Sequence, residues 1–481
     1  MNRLPLLLAL ALAACGGAGQ RKDDAPVTVS AIGGPAKTAD PSAGPLDTPA
    51  RVLLGATAQG LVRFDAAGQI EPGLAERWIV IDDGRSFIFR LREAVWPDGQ
   101  PVTATQVVRA LRRATAPGSR NTLAPFLAVI DEIVEMTPQV IEVRLKRPRP
   151  DLLQLFAQPE LAVMRTSEGS GPFRIARSDG RGLLLRPTPD PEAPEDAGPA
   201  PEQFILLRGE RAAVALSRFK DGQSDLILGG SFADWPIVAA AGIAPANIRK
   251  DATLGLFGLS VVRREGFLAD ARNRMAVAMA IDRAKLTKAL DADWVPIETV
   301  MPTQLDSAAV PAQPVWALLT LEARRTAAQA TTAAWRQANG GAAPVLRIAL
   351  PAGPGATIVW AYLAEAMRSI GADALRVGPD DEAELRLIDA PAPYDSGRWF
   401  AATACAPCGE EARALVEAGR NALDLPTRAQ RIAEADAALT ADVSYIPIAQ
   451  PLRWSIVALR LRAWQGNSRA WHPLNHLRNE R

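Results

Sequence analysis

The sequence predicts an α/β fold spread over more than one domain, on three observations. Residues 201–230, "PEQFILLRGERAAVALSRFKDGQSDLILGG", alternate strand, helix and strand, with Val214, Leu216 and Phe219 marking the helix and Gly222 stopping it. The stretch "VLRIALP" repeats the pattern by leading into the apolar-periodic "IVWAYLAEAMRSIG". Finally, 481 residues at 48% hydrophobic and 22% charged are globular in composition and enough for two or three cores rather than one.

The elements follow in chain order. "MNRLPLLLALALAACGG" places Arg3 ahead of an apolar run, Leu4 to Leu12, that is too short to span a bilayer and fits a secretory signal. It ends in "LAAC", which resembles the lipobox of bacterial lipoproteins. That resemblance implies a signal peptide over 1–14, lipidation of Cys15 and a membrane link through the lipid. An ordinary secretory signal with an incidental Cys15 is the alternative. Gly16 after the cysteine, with no Asp, favours the outer membrane in a cell that has one. Residues 15–26 read as a flexible tether, because Gly and charge bury too little surface to fold. No later run reaches 18 uninterrupted apolar residues, so an anchored rather than a spanning body is expected.

Next come short extended runs divided by turns. In "SFIFRLR", Phe87, Phe89 and Leu91 alternate with Ser86, Ile88 and Arg90, as a half-buried strand requires. The turn at Asp98 and Gly99 feeds "TATQVVRALRRAT", where Thr103 and Gln106 form a capping box. Val107, Ala110 and Leu111 make its apolar stripe, and Trp96 is expected to pack on it. A hairpin around Thr137 to Gln139, a second around Ser178 to Gly182 and a long Pro-rich loop from Pro187 to Pro201 precede the α/β alternation already described. The chain then becomes helix-rich, and "YIPIAQPLRWSIVALRLRAW" returns it to extended structure.

Charge excludes one class of partner. Fifty-four basic and 53 acidic residues leave a net charge of +1, which gives no field to hold a polyanion, so no nucleic acid is expected. Only two histidines occur, both near the C-terminus, and a Ser-His-Asp hydrolase has little to draw on. No catalytic residue, cofactor or metal is expected.

Residues 60–113, "GLVRFDAAGQIEPGLAERWIVIDDGRSFIFRLREAVWPDGQPVTATQVVRALRR", resemble the signature region of the extracytoplasmic solute-binding proteins of ABC transporters, in the peptide and nickel class. Further blocks agree in order: "GSGPFRIARSD" from Gly169, "SRFKDGQSDLI" from Ser217, "DARNRMAVAMAIDRAKL" from Asp270 and "ADVSYIPIAQ" from Ala441. The resemblance covers most of residues 27–481 and weakens over 302–344 and 389–421. It implies a periplasmic binding protein-like clamshell of type II, two lobes with an additional small N-terminal domain. The division it implies is 27–51, 165–256 and 445–481 for the first lobe, 52–164 for the small domain and 257–444 for the second lobe. Hinges are implied near Asp251 to Gly258 and near Ala441 to Tyr445. Such a protein captures a solute between its lobes on the periplasmic side of the cell envelope and presents it to ABC permease subunits; a small peptide or similar amine-containing solute is the expected cargo.

Two segments supply candidate ligand contacts. In "ILGGSFADW", Gly229 and Gly230 present no side chain to block a close backbone approach, Ser231 offers a hydroxyl and Trp235 an apolar cover. A tight turn with a packed tryptophan is the structural alternative. In "PYDSGRWF", Tyr394, Asp395, Arg398 and Trp399 suit a zwitterion, with Asp395 for an ammonium and Arg398 for a carboxylate. The alternative is that Asp395 and Arg398 simply pair with each other. This segment departs from the usual family pattern, so a non-transport, receptor-like or scaffolding lipoprotein of the same fold is the rival reading. Cys405 and Cys408 in "CAPC" are expected as a disulfide in an exported protein; a thiol oxidoreductase is the other use of that spacing.

Overall fold

The computed structural model describes residues 24–189 and 198–478; Cys15 and the signal segment lie outside the described residues. Of the five sheets among the described residues, the three largest organise the chain. The large sheet has seven strands in the order Phe173–Asp179, Gly182–Pro187, Ile205–Glu210, Val27–Ile32, Leu226–Ser231, Arg453–Val457 and Ile248–Asp251. Val27–Ile32 sits at its centre with a parallel partner on each side. That strand is buried on both faces, as a central parallel strand must be. At the N-terminal end of that strand Arg460 grips Asp225 through two hydrogen bonds of 2.7 and 2.8 Å, which ties the last part of the chain onto this sheet.

The helix Thr48–Thr57 starts at Asp47, whose side chain accepts from the Ala50 amide, with Pro49 in the first turn. Its Val52, Leu53 and Ala56 share a core with Val29 and Leu207 of the large sheet. Val52, Leu53 and Ala56 therefore pack with the large sheet, although the resemblance implied a small domain over 52–164.

The small sheet has four antiparallel strands, Ala75–Ile81, Ser86–Leu91, Val140–Leu145 and Ile130–Thr137 in spatial order. Phe87, Phe89 and Leu91 turn inward, and the helix Ala104–Thr115 lays Val107 and Leu111 over them. Trp96 is fully buried in the same core, and its Nε1 donates to Gln106 Oε1 at 2.9 Å. The same oxygen accepts from the Thr103 amide, so one glutamine closes the capping box and satisfies the indole.

The second sheet has five strands, in the order Asp373–Val377, Val345–Ala349, Leu385–Pro391, Gly255–Val261 and Tyr445–Ala449. The helices Ala271–Ala280, Leu321–Ala338 and Pro354–Ser369 bring Val277, Ala328, Val359 and Leu363 into the core that contains this sheet. Two strand pairs join the large sheet to the second. Ile248–Asp251 leads through residues 252–254 into Gly255–Val261, and Tyr445–Ala449 leads back through 450–452 into Arg453–Val457. The two runs are antiparallel neighbours in both sheets. The return crossing thus lies at 450–452 rather than near 441–445 as expected, because Tyr445–Ala449 pairs with Gly255–Val261 as a strand of the second sheet. Among the described residues no helix is long and apolar enough to cross a membrane.

Candidate functional site

A cavity of about 180 Å³ opens where the two lobes meet. One wall comes from the large-sheet side: Thr48 and Arg51 at the start of their helix, and Leu228 and Gly229 near the end of a strand. The opposite wall is the chain leaving the second sheet, Pro391 to Pro393. Arg453 and the segment Arg469 to His472 complete it.

Polar contacts cross this cleft. Arg453 Nη1 donates to both carboxylate oxygens of Asp389, at 2.8 and 3.0 Å. Arg469 donates to Asp395 at 2.6 Å, and Gln158 donates to the carbonyl of Pro393 at 2.7 Å. Arg51 is paired with Glu160 at 2.7 Å and lies over the Trp471 ring. The cavity is therefore ringed by three arginines, 51, 453 and 469, each with its own carboxylate. Burial raises the pKa of Asp389, and Arg453 opposes that rise. His472 closes the lower edge with Nε2 3.1 Å from Asp251, and His476 faces Glu71 at 2.7 Å. Each histidine thus meets a carboxylate of its own, and among the described residues no group of three or more His, Cys, Asp or Glu is arranged to hold a metal.

The residues nominated from sequence divide. Gly229 lines the cavity, in a left-handed conformation with φ of +86°, and Thr48 stands where its side chain would project. Gly230, Ser231 and Trp235 are not part of the wall. A β-carbon on Gly230 would lie 2.1 Å from the Trp454 ring, so the glycine admits a tryptophan rather than a ligand. Ser231 receives the Trp454 indole N–H on its carbonyl, and its hydroxyl accepts from Ala233. Trp235 is buried beside Trp454 with the Lys250 ammonium 5.7 Å from its ring centroid. Gly230 and Ser231 belong to the large sheet behind the cleft, and Trp235 opens the helix Trp235–Ala241 that follows it.

The second cluster divides as well. Asp395 reaches the cleft through Arg469 and also binds Gln154. Tyr394 is fully buried against Phe126 and beneath Arg149, and Trp399 packs edge-on to Phe400. Arg398 faces a different cavity, and no carboxylate comes within 4.0 Å of it among the described residues. Asp395 and Arg398 therefore do not pair with each other, and the cavity that Arg398 lines does not include Asp395. Cys405 and Cys408 are joined to each other, with Cα atoms 4.7 Å apart, at the end of the helix Gly397–Ala404. Sequence reasoning missed Arg51, Gln158, Arg453 and Arg469, which come from three distant parts of the chain.

Two lobes joined by paired crossings, with a small antiparallel domain beside them and a cavity between, define a periplasmic binding-protein clamshell. Residues 69–382 match the model of the bacterial extracellular solute-binding proteins, family 5 Middle, and the chain belongs to that family. Its fold is similar to that of Haemophilus influenzae OppA in complex with the peptide RPPGFSPFR, with a TM-score of 0.79 at 16% identity over 94% of this chain and 98% of that one. In sequence it is similar to a probable deoxycholate-binding periplasmic protein, YgiS, of Escherichia coli, 32% identical over 142 residues, 26% of each chain. It is also 25% identical over 264 residues to the periplasmic murein peptide-binding protein MppA of Escherichia coli, 48% of each. The matched stretches thus span a quarter to a half of these two curated relatives.

Proposed function

We propose that this chain is the solute-capturing component of an ABC importer on the periplasmic side of the cell envelope, and that it closes on a small peptide or related amine-containing solute. The observation that carries the reading is the cleft cavity, whose walls come from both lobes and whose arginines 453 and 469 are held by Asp389 and Asp395 from the facing lobe. A zwitterion entering there exchanges with the existing pairs: its carboxylate competes for an arginine, and its ammonium competes for Asp395. The carboxylate role given to Arg398 from sequence passes to Arg51, Arg453 and Arg469. At about 180 Å³ the cavity is smaller than the roughly 300–1,000 Å³ of ordinary small-molecule sites, which favours a compact solute over a long peptide. Family membership and the peptide named for two of the similar proteins support the same class of cargo.

In this reading the lobes follow the sheets, with the small domain riding on the first lobe, and ABC permease subunits receive the closed form. Lipidation at Cys15 holds the protein to the membrane. Replacing Cys15 with Ala should shift full-length protein from the membrane to the soluble fraction; unchanged fractionation after a high-salt wash rules out the lipid anchor. The function is tested by native mass spectrometry of protein purified without refolding, followed by a thermal-shift screen of peptides and amino compounds. A ligand that prefers the native state raises the melting temperature by mass action. Folded protein, free of carried-over ligand, that binds nothing in the screen would favour the scaffolding reading instead.

A further inference from the structure

A second cavity, of about 120 Å³, shares no wall residue with the cleft and lies where the small domain meets the helices Gly397–Ala404 and Leu425–Asp442. Its cationic side chains are Lys146, Arg147, Arg149, Arg398, Arg420 and Arg428, and no carboxylate is part of the wall. Three of the guanidiniums are more than nine-tenths buried: Arg149, Arg398 and Arg428. Arg398 Nε and Nη1 and Arg428 Nε are buried with no hydrogen-bond partner among the described residues.

The neighbouring acids only partly balance this charge. Asp151 stands 3.5 Å from Arg149 Nε and 3.3 Å from Arg428 Nη2, and Asp306 stands 3.1 Å from Arg428 Nη2. Arg428 also donates to Ser396 Oγ, and Arg149 to the Phe126 carbonyl. Arg398 has no such acid. Burial, with Arg149 and Arg428 close by and with Tyr394 and the more distant Asp151 opposing them, brings its pKa down to about 10, so it remains charged at neutral pH. A buried charge without a counterion is strongly unfavourable, and a guanidinium fork is suited to binding an oxyanion.

We propose that this cavity is a site for a small tetrahedral oxyanion of the phosphate or sulfate class, held by Arg149, Arg398 and Arg428. The three guanidiniums arrive from three separate segments, one in the small domain and two in helices on the other side. They offer donors from more directions than the two oxygens of one planar carboxylate can meet. Because both sides of the cavity contribute, the anion also ties the small domain to the helices facing it.

The test is thermal unfolding of the full chain at constant ionic strength, with sodium chloride replaced stepwise by sodium phosphate or sodium sulfate. A saturable rise in melting temperature is expected, and Arg398→Gln should weaken the apparent phosphate affinity at least tenfold while still unfolding cooperatively. If that variant does not fold, the exposed rim pair Lys146→Ala with Arg420→Ala decides the matter, with at least a threefold loss expected. Glycerol phosphate acting as well as inorganic phosphate assigns the site to a phosphate group on a larger molecule; phosphate acting alone assigns it to the free anion. Absence of a saturable shift, or the same shift in the substituted protein that folds, overturns the proposal. The outcome is independent of whether the cleft binds a peptide.

Discussion

Arg453 and Asp389 join the two lobes: the arginine belongs to a strand of the large sheet, the aspartate to a strand of the second, and they meet at 2.8 Å beside the cleft cavity. Both side chains are mostly buried. Removing one partner leaves the other charge poorly solvated, which costs several kcal/mol in comparable pairs. Arg453→Met should therefore destabilise the protein by about 2–3 kcal/mol in urea unfolding. Adding Asp389→Asn should recover part of that loss, and an additive double variant would show that the two residues do not act as a pair.

Asp395 should matter for ligands with a free amine. Among binders found by screening, Asp395→Asn is expected to weaken the free-amine form about tenfold, equivalent to about 1.4 kcal/mol, and the N-acetylated form much less. Calorimetry on both forms reads the difference. Equal losses would assign Asp395 to positioning Arg469 alone.

Gly230 supports the sheet behind the cleft. Gly230→Ala pushes a methyl group into the Trp454 ring, and overpacking of this kind costs roughly 1–3 kcal/mol. A variant that melts with the wild type would show that the ring can move aside freely.

Asp436 gives the stability a pH dependence. Burial pushes its carboxyl up to about 6, opposed by the Ala312 amide that donates to it at 2.7 Å. The unfolded chain has a value of about 3.9, so the folded state holds the proton more tightly. That contribution is fully present below about pH 4 and is lost as the pH rises towards 6. Asp436→Asn keeps an acceptor for Ala312. It should flatten the pH profile of the denaturation midpoint across this window and add about 2 kcal/mol at neutral pH. An unchanged profile would locate the titration elsewhere.

What was legible in the sequence was local or belonged to the family. The capping box of Thr103 and Gln106 spans three residues, and the inward alternation of Phe87, Phe89 and Leu91 follows from the pleat of a strand. The cleft was not legible, because its pairs lie far apart in the chain: Arg453 is 64 residues from Asp389, Arg469 is 74 from Asp395, and Gln158 is 235 from Pro393. No periodicity brings such residues together. The cluster from Tyr394 to Trp399 misled for the opposite reason. Neighbours in sequence read as one site, yet the turn before the helix Gly397–Ala404 sends Asp395 to the cleft and Arg398 to the cationic cavity. Gly230 misled because a missing side chain signals close approach without saying what approaches.

The paired crossings at 252–254 and 450–452 determine how this molecule can move. Each is only three residues long, and the two strands they continue stay hydrogen-bonded as neighbours in both sheets. Such a two-stranded ribbon bends across its flat face at little cost, whereas shearing its strands past each other breaks ladder bonds on both sides. The clamshell is thus confined to something close to a single angular coordinate. A solute that bridges the walls has one rotation to arrest rather than a free tumbling of lobes, so less of its contact energy is consumed in ordering the protein.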